Sequence, residues 1–140
     1  MTFYAVIDTN VLVSALLSGH PDAATVLVVD QIFDGLIIPV FSEEILAEYN
    51  DVLRREKFGF SADLIEMLLT TIEKYGRKIC PISTGEVLPD KKDLPFYEAA
   101  AADKHRITYL VTGNQKHFPN RPFIVSAREF LEILDIKKGK

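Results

Sequence analysis

Four stretches of this chain put oxygen-bearing side chains at the ends of strands, at the start of a helix or on the flank of a helical stripe. Asp8-Thr9-Asn10 follows the apolar run Phe3–Ile7, and Thr112-Gly113-Asn114 follows Thr108–Val111. Glu48 flanks the apolar stripe of a helix, and Asp93 opens another behind Asp90-Lys91-Lys92. In open α/β sheets the ligand crevice lies outside the carboxyl ends of the strands, so these residues are the first to read for function. Carboxylates gathered there repel one another unless a cation sits between them. An all-oxygen set suits Mg2+ or Mn2+, held by one or two carboxylates, waters and phosphate oxygens. Such an ion activates water and stabilises the charge on a phosphodiester during in-line displacement. Taken singly, each acid reads as readily as a helix cap or a surface charge. Asp8 is the exception, because an acid directly behind a buried strand has few structural jobs.

The elements that must position these residues alternate between strand and helix with short connections, which predicts an α/β domain with a mainly parallel sheet. Strands are expected over residues 3–7, 36–40, 78–81, 108–112 and 123–125. Helices are expected over 10–17, with Asn10 as cap and Gly19 as stop, and over 21–33. Residues 42–57 carry the clearest helical signal: Ser42 as cap, Glu43 and Glu44 where the dipole favours negative charge, and a stripe of Ile45, Leu46, Tyr49, Val52 and Leu53. Ser61 caps a further helix to residue 75, and residues 83–92, with Gly85 and Pro89, read as a loop. A helix from Asp93 to about His105 takes Pro95 in its first turn. Ser126-Ala127-Arg128-Glu129 is a capping box leading into a last helix to Leu134, followed by a frayed tail over 137–140.

With 140 residues, 48% of them hydrophobic and 26% charged, the chain has the size and composition of one soluble domain over 1–140. Its single cysteine, Cys80, excludes a disulfide framework and a Cys-built metal site, and is expected as a small buried residue beside its strand. Asp8 and Asn10 interrupt the N-terminal apolar stretch, so no signal peptide is expected, and no apolar run is long enough for a membrane span. A cytoplasmic setting fits. The net charge is −4, unevenly spread: the first 50 residues hold seven acids and no Lys or Arg, and the remaining 90 hold 13 acids and 16 bases. Bulk electrostatics alone would not hold nucleic acid; metal ions or local basic clusters would have to offset the acids.

In combination these stretches resemble the PIN domain family. Residues 6–16 (Val-Ile-Asp-Thr-Asn-Val-Leu-Val-Ser-Ala-Leu) are similar to its opening motif. Residues 42–49 resemble its second, with Glu48 as the acid. Residues 90–100 resemble its third, with Asp93 as the acid, and residues 109–114 its fourth. The similarity is greatest to the bacterial and archaeal group that act as toxin components of toxin–antitoxin pairs. The resemblance implies a three-layer α/β/α domain, a Mg2+- or Mn2+-dependent endoribonuclease, an RNA substrate, a cognate antitoxin protein and a homodimer. It also implies that Asp8, Glu48 and Asp93 are catalytic and hold the metal together with Asn114, supported by Asn10, Thr112 and Asp90. Asn114 departs from the family, which commonly carries Asp there; a neutral carbonyl oxygen ligates but adds no charge, so a second metal would bind more weakly.

Two other readings stay open: a PIN fold that binds RNA or protein with little catalysis because of Asn114, and a phosphotransferase with Asp8 as nucleophile. The chain has no Walker-type phosphate loop, no G-x-G-x-x-G and no G-x-S-x-G. His117 lies close to the fourth motif but reads as readily as a solvated loop residue, and His20 and His105 read as surface residues. Arg54, Arg55, Lys57, Lys91, Lys92, Lys116 and Arg121 are candidates to guide a phosphate backbone, or simply solubilise helix ends.

Overall fold

The computed structural model describes residues 2–103 and 106–138, with side chains of the last helix described through Asp135. Five strands form one sheet: β1 (Phe3–Ile7), β2 (Ile37–Phe41), β3 (Arg77–Lys78), β4 (Thr108–Val111) and β5 (Ile124–Val125). Their order is β3-β2-β1-β4-β5, and every pairing is parallel. The chain builds outward from β1 to β2 and β3, then returns to lay β4 on the other side of β1. That reversal puts the switch point, where such sheets bind ligands, at the carboxyl ends of β1 and β4.

Six helices cover the sheet as an α/β/α domain: α1 (Thr9–Leu17), α2 (Ala24–Asp34), α3 (Glu43–Leu53), α4 (Ala62–Tyr75), α5 (Leu94–Ala101) and α6 (Ala127–Lys138). Helix α2 packs on α1, α6 and β2, while α5 packs on β1, β2 and β4, and α3 on α4. Because helices lie on both faces, the central strands are mostly apolar: Ala5, Val6, Ile7, Leu110 and Val111 are all buried. Gly35 ends α2 at φ 87°, a left-handed conformation that a side chain would strain.

Several boundaries differ from expectation. Helix α1 starts at Thr9, so Asp8, not Asn10, occupies the cap position. Helix α2 starts at Ala24 rather than residue 21, and β2 is shifted by one residue. Helix α3 stops at Leu53: Arg55 is extended (φ −65°, ψ 132°), and Glu56–Phe58 form a separate single 3-10 turn. β3 ends at Lys78, so Cys80 lies outside the sheet and is exposed, not buried. Helix α5 ends at Ala101, and His105 lies outside the described residues; His20 is exposed as expected. Helix α6 runs four residues past Leu134 to Lys138, so the expected tail is helical at 137 and 138 and lies outside the described residues beyond that. Its capping box forms: Glu129 Oε1 accepts the Ser126 N–H (2.8 Å) and Ser126 Oγ accepts the Glu129 N–H (3.1 Å). Among the described residues, no helix is long and apolar enough to cross a membrane.

Candidate active site

Asp8 leaves β1 with its backbone still in the ladder, its N–H donating to the Val111 carbonyl at 2.9 Å. It stands in the cap position of α1, yet its side chain makes no capping hydrogen bond. Instead Oδ2 accepts the Thr112 hydroxyl at 2.7 Å and the Asn10 amide at 3.3 Å. Asn10 Oδ1 in turn accepts the Gly113 N–H at 3.3 Å, and Thr112 Oγ1 accepts the Asn114 N–H at 3.0 Å. The ends of β1 and β4 are thereby tied together around one carboxylate that is 5% exposed. Burial pushes the Asp8 carboxyl up to about 6; the Thr112 hydroxyl pulls it down, and the charges of Asp93 and Glu48 raise it further.

Glu48 reaches the same place from α3. Ser42 caps that helix by accepting the Ile45 N–H at 3.2 Å, and Ile45, Tyr49 and Leu53 bury its inner face. Tyr49 fixes its position: the phenol donates to the Ile7 carbonyl, one residue before Asp8, and the ring packs 6.2 Å from that of Phe96 on α5. Burial, together with the charges of Asp8 and Glu48, holds this phenol far above its usual range, so it remains a donor. Glu48 stands next to Tyr49, at the margin of the core, and its carboxylate accepts the Thr9 hydroxyl.

Asp93 occupies the cap position of α5, again without a capping bond. Its Oδ2 faces Nδ1 of His117 at 3.2 Å. Burial and the charge of Asp90 raise its carboxyl, while the His117 hydrogen bond opposes them. Asp90 has a local job as well, accepting the Lys92 N–H at 2.9 Å in a tight turn.

One cleft of about 950 Å³ joins these residues: Asp8, Asn10, Glu48, Asp90 and Asp93 all line it. Thr112 lies behind Asp8, fully buried. Asn114 does not line the cleft; it is exposed and enters the network through its backbone N–H. Of the seven cations considered as phosphate guides, Arg55 and Lys92 line the cleft, while Arg54 and Arg121 pair with Glu66 and Glu86. Asp51 and Phe58 are among the lining residues that the sequence reading did not offer. Asp51 follows Glu48 by three residues, a spacing that shares a helix face, and pairs with Arg55 at 3.1 Å. Phe58 enters because α3 stops early.

Five carboxylates against two cations leave the cleft negative, and the buried Asp8 meets hydroxyl and amide donors rather than a positive charge. Hard oxygen donors with uncompensated charge fit a hard divalent cation. Among the described residues, no three His, Cys, Asp or Glu side chains are grouped so as to hold an ion jointly. Mg2+ keeps several waters and takes only one or two carboxylates directly, so it would not need three in contact.

Comparison with known families gives one match: a family model described as PIN domain covers residues 4–116, from β1 into the turn that follows β4. No curated protein and no solved structure matches the chain.

Proposed function

The chain belongs to the PIN domain family, a nuclease-type fold, and from that premise we propose that it is a Mg2+- or Mn2+-dependent endoribonuclease. The observation that carries this reading is Asp8: a buried carboxylate at the sheet's switch point that makes no capping bond and, among the described residues, has no cationic partner. When bound, the metal lowers the pKa of water and offsets charge on the scissile phosphate. Asp8, Glu48 and Asp93 would hold it, one or two of them directly and the rest through its waters; Asn114, outside the cleft lining, would add no ligand. Asn10 and Thr112 orient Asp8; Asp90 sets the turn that presents Asp93. Arg55 and Lys92 line an otherwise acidic cleft and would meet the strand's flanking phosphates.

The biological setting follows from family resemblance alone: a cytoplasmic toxin component, paired with an antitoxin protein and forming a homodimer. Incubation of the purified chain with single-stranded RNA tests the activity. Cleavage with Mn2+ or Mg2+, lost in excess chelator, is the expected result; chelator-resistant cleavage, or a trapped phosphoryl group on Asp8, overturns it.

A further inference from the structure

The cleft is not uniformly polar: beside the acids, Val13 and Leu17 of α1 and Phe58 give it an apolar wall, and Leu17 is 56% exposed. Phe58 is half-buried, and its ring lies nearly parallel to that of Phe60, with centroids 5.5 Å apart and an interplanar angle of 11°. Between them Gly59 sits at φ 67°, a left-handed turn that allows two rings so close in sequence to stack. Phe60 packs against the core, so the pair is braced from behind. Lys57 lies at the same ring, its ammonium 5.1 Å from the Phe58 centroid, an exposed cation–π contact that a flat ligand can displace.

Aromatic rings beside cations and a phosphate-handling cleft are the chemistry by which single-stranded nucleic acid is held: bases stack on the rings and the cations follow the backbone. A base inside a duplex has no free face to offer. We propose that Phe58, braced by Phe60, is the stacking platform for one unpaired base of the polynucleotide in the cleft, and that it selects single-stranded over paired substrate. The inference rests on reading that cleft as a nuclease site. Lys57, freed from the ring, meets a phosphate of the same strand.

The sequence contains no tryptophan, so Phe58→Trp introduces a sole reporter. A short single-stranded RNA oligonucleotide, added with Ca2+, is expected to quench its emission, and the same strand annealed to its complement is not. Phe58→Leu is expected to weaken binding, read by anisotropy, at least about 5-fold, while Phe58→Tyr retains it. Cooperative melting of each variant shows that it is folded, and the Leu/Tyr pair decides the matter if the Trp variant does not fold. An oligonucleotide that binds without quenching, or that binds Phe58→Leu as tightly as the wild type, overturns the platform. Cleavage by the wild type together with that result leaves the nuclease standing and removes only the platform. Base-dependent binding without cleavage under any metal does the reverse. Failure to bind any oligonucleotide, single or paired, removes the platform, as it would if the wall served a protein segment.

Discussion

Ser42, Ser61 and Ser126 each turn a side-chain oxygen back to a backbone N–H at the start of their helices. Asp8 and Asp93 occupy the same position at the starts of α1 and α5, and neither makes a capping bond. Aspartate caps as well as serine does, so the difference lies in what surrounds it. The serine starts are satisfied locally. The aspartate starts face a shared cleft, and burial and like charge raise both carboxyls. One set of helix starts serves the fold; the other holds charge together against it, which is the arrangement expected where a ligand supplies the missing cation.

Substitution breaks the comparison most sharply at Asp8. A rise from 3.8 to about 6 corresponds to about 3 kcal/mol of destabilisation of the metal-free fold at neutral pH. Asp8→Asn is therefore expected to raise the metal-free unfolding free energy by up to that amount while abolishing RNA cleavage. Denaturant melts in chelator and a gel cleavage assay read the two signs. Tyr49→Phe comes next: it leaves the buried Ile7 carbonyl unpaired and is expected to lose about 1–3 kcal/mol in the same melts. Because Tyr49 sits beside Glu48 and bonds just before Asp8, the variant should also need more Mn2+ for half-maximal cleavage.

Ser42→Ala tests the other side of the comparison. Loss of the bond to the Ile45 N–H is expected to cost about 1 kcal/mol, the opposite sign to Asp8→Asn. Asp93→Asn should give the smallest change, a rise below that of Asp8→Asn, because Asp93 is less buried and its His117 bond already offsets part of the penalty. If Asp93→Asn and Ser42→Ala shifted stability in the same direction, the distinction between the two kinds of helix start would fail.

Asp8, Glu48 and Asp93 were legible because a position after a strand, beside a helical stripe or at a helix start is a local property of sequence, and all three line the cleft; Asp51, on the same helix as Glu48, was not. Nor was what joins the three. The Tyr49 phenol reads as one more apolar stripe residue, and its bond to Ile7 spans 42 positions of chain. Phe58 was hidden because Arg54, Arg55, Glu56 and Lys57 are helix formers and extend the pattern of α3; the helix nonetheless ends at Leu53, with Arg55 extended. Cys80 was misplaced for a similar reason: Ile79-Cys80 looks strand-like, but β3 pairs only through Lys78. Asn114 matched a motif in line, yet the turn beyond Thr112 leaves it outside the cleft lining.

The pH dependence of unfolding, with and without Mn2+, tests most directly whether the sheet end is held charged for a cation. Asp8 titrates higher folded than unfolded, so between about pH 4 and 6 its own contribution to metal-free stability falls as pH rises, a fall that Asp8→Asn removes. Below that window the penalty vanishes; above it, the penalty is complete. Mn2+ is therefore expected to raise the melting temperature of the wild type markedly at about pH 7, little at about pH 4, and hardly at all in Asp8→Asn. A metal-free stability that does not fall relative to that of Asp8→Asn across that window, or a Mn2+ shift that Asp8→Asn retains in full, would contradict the account.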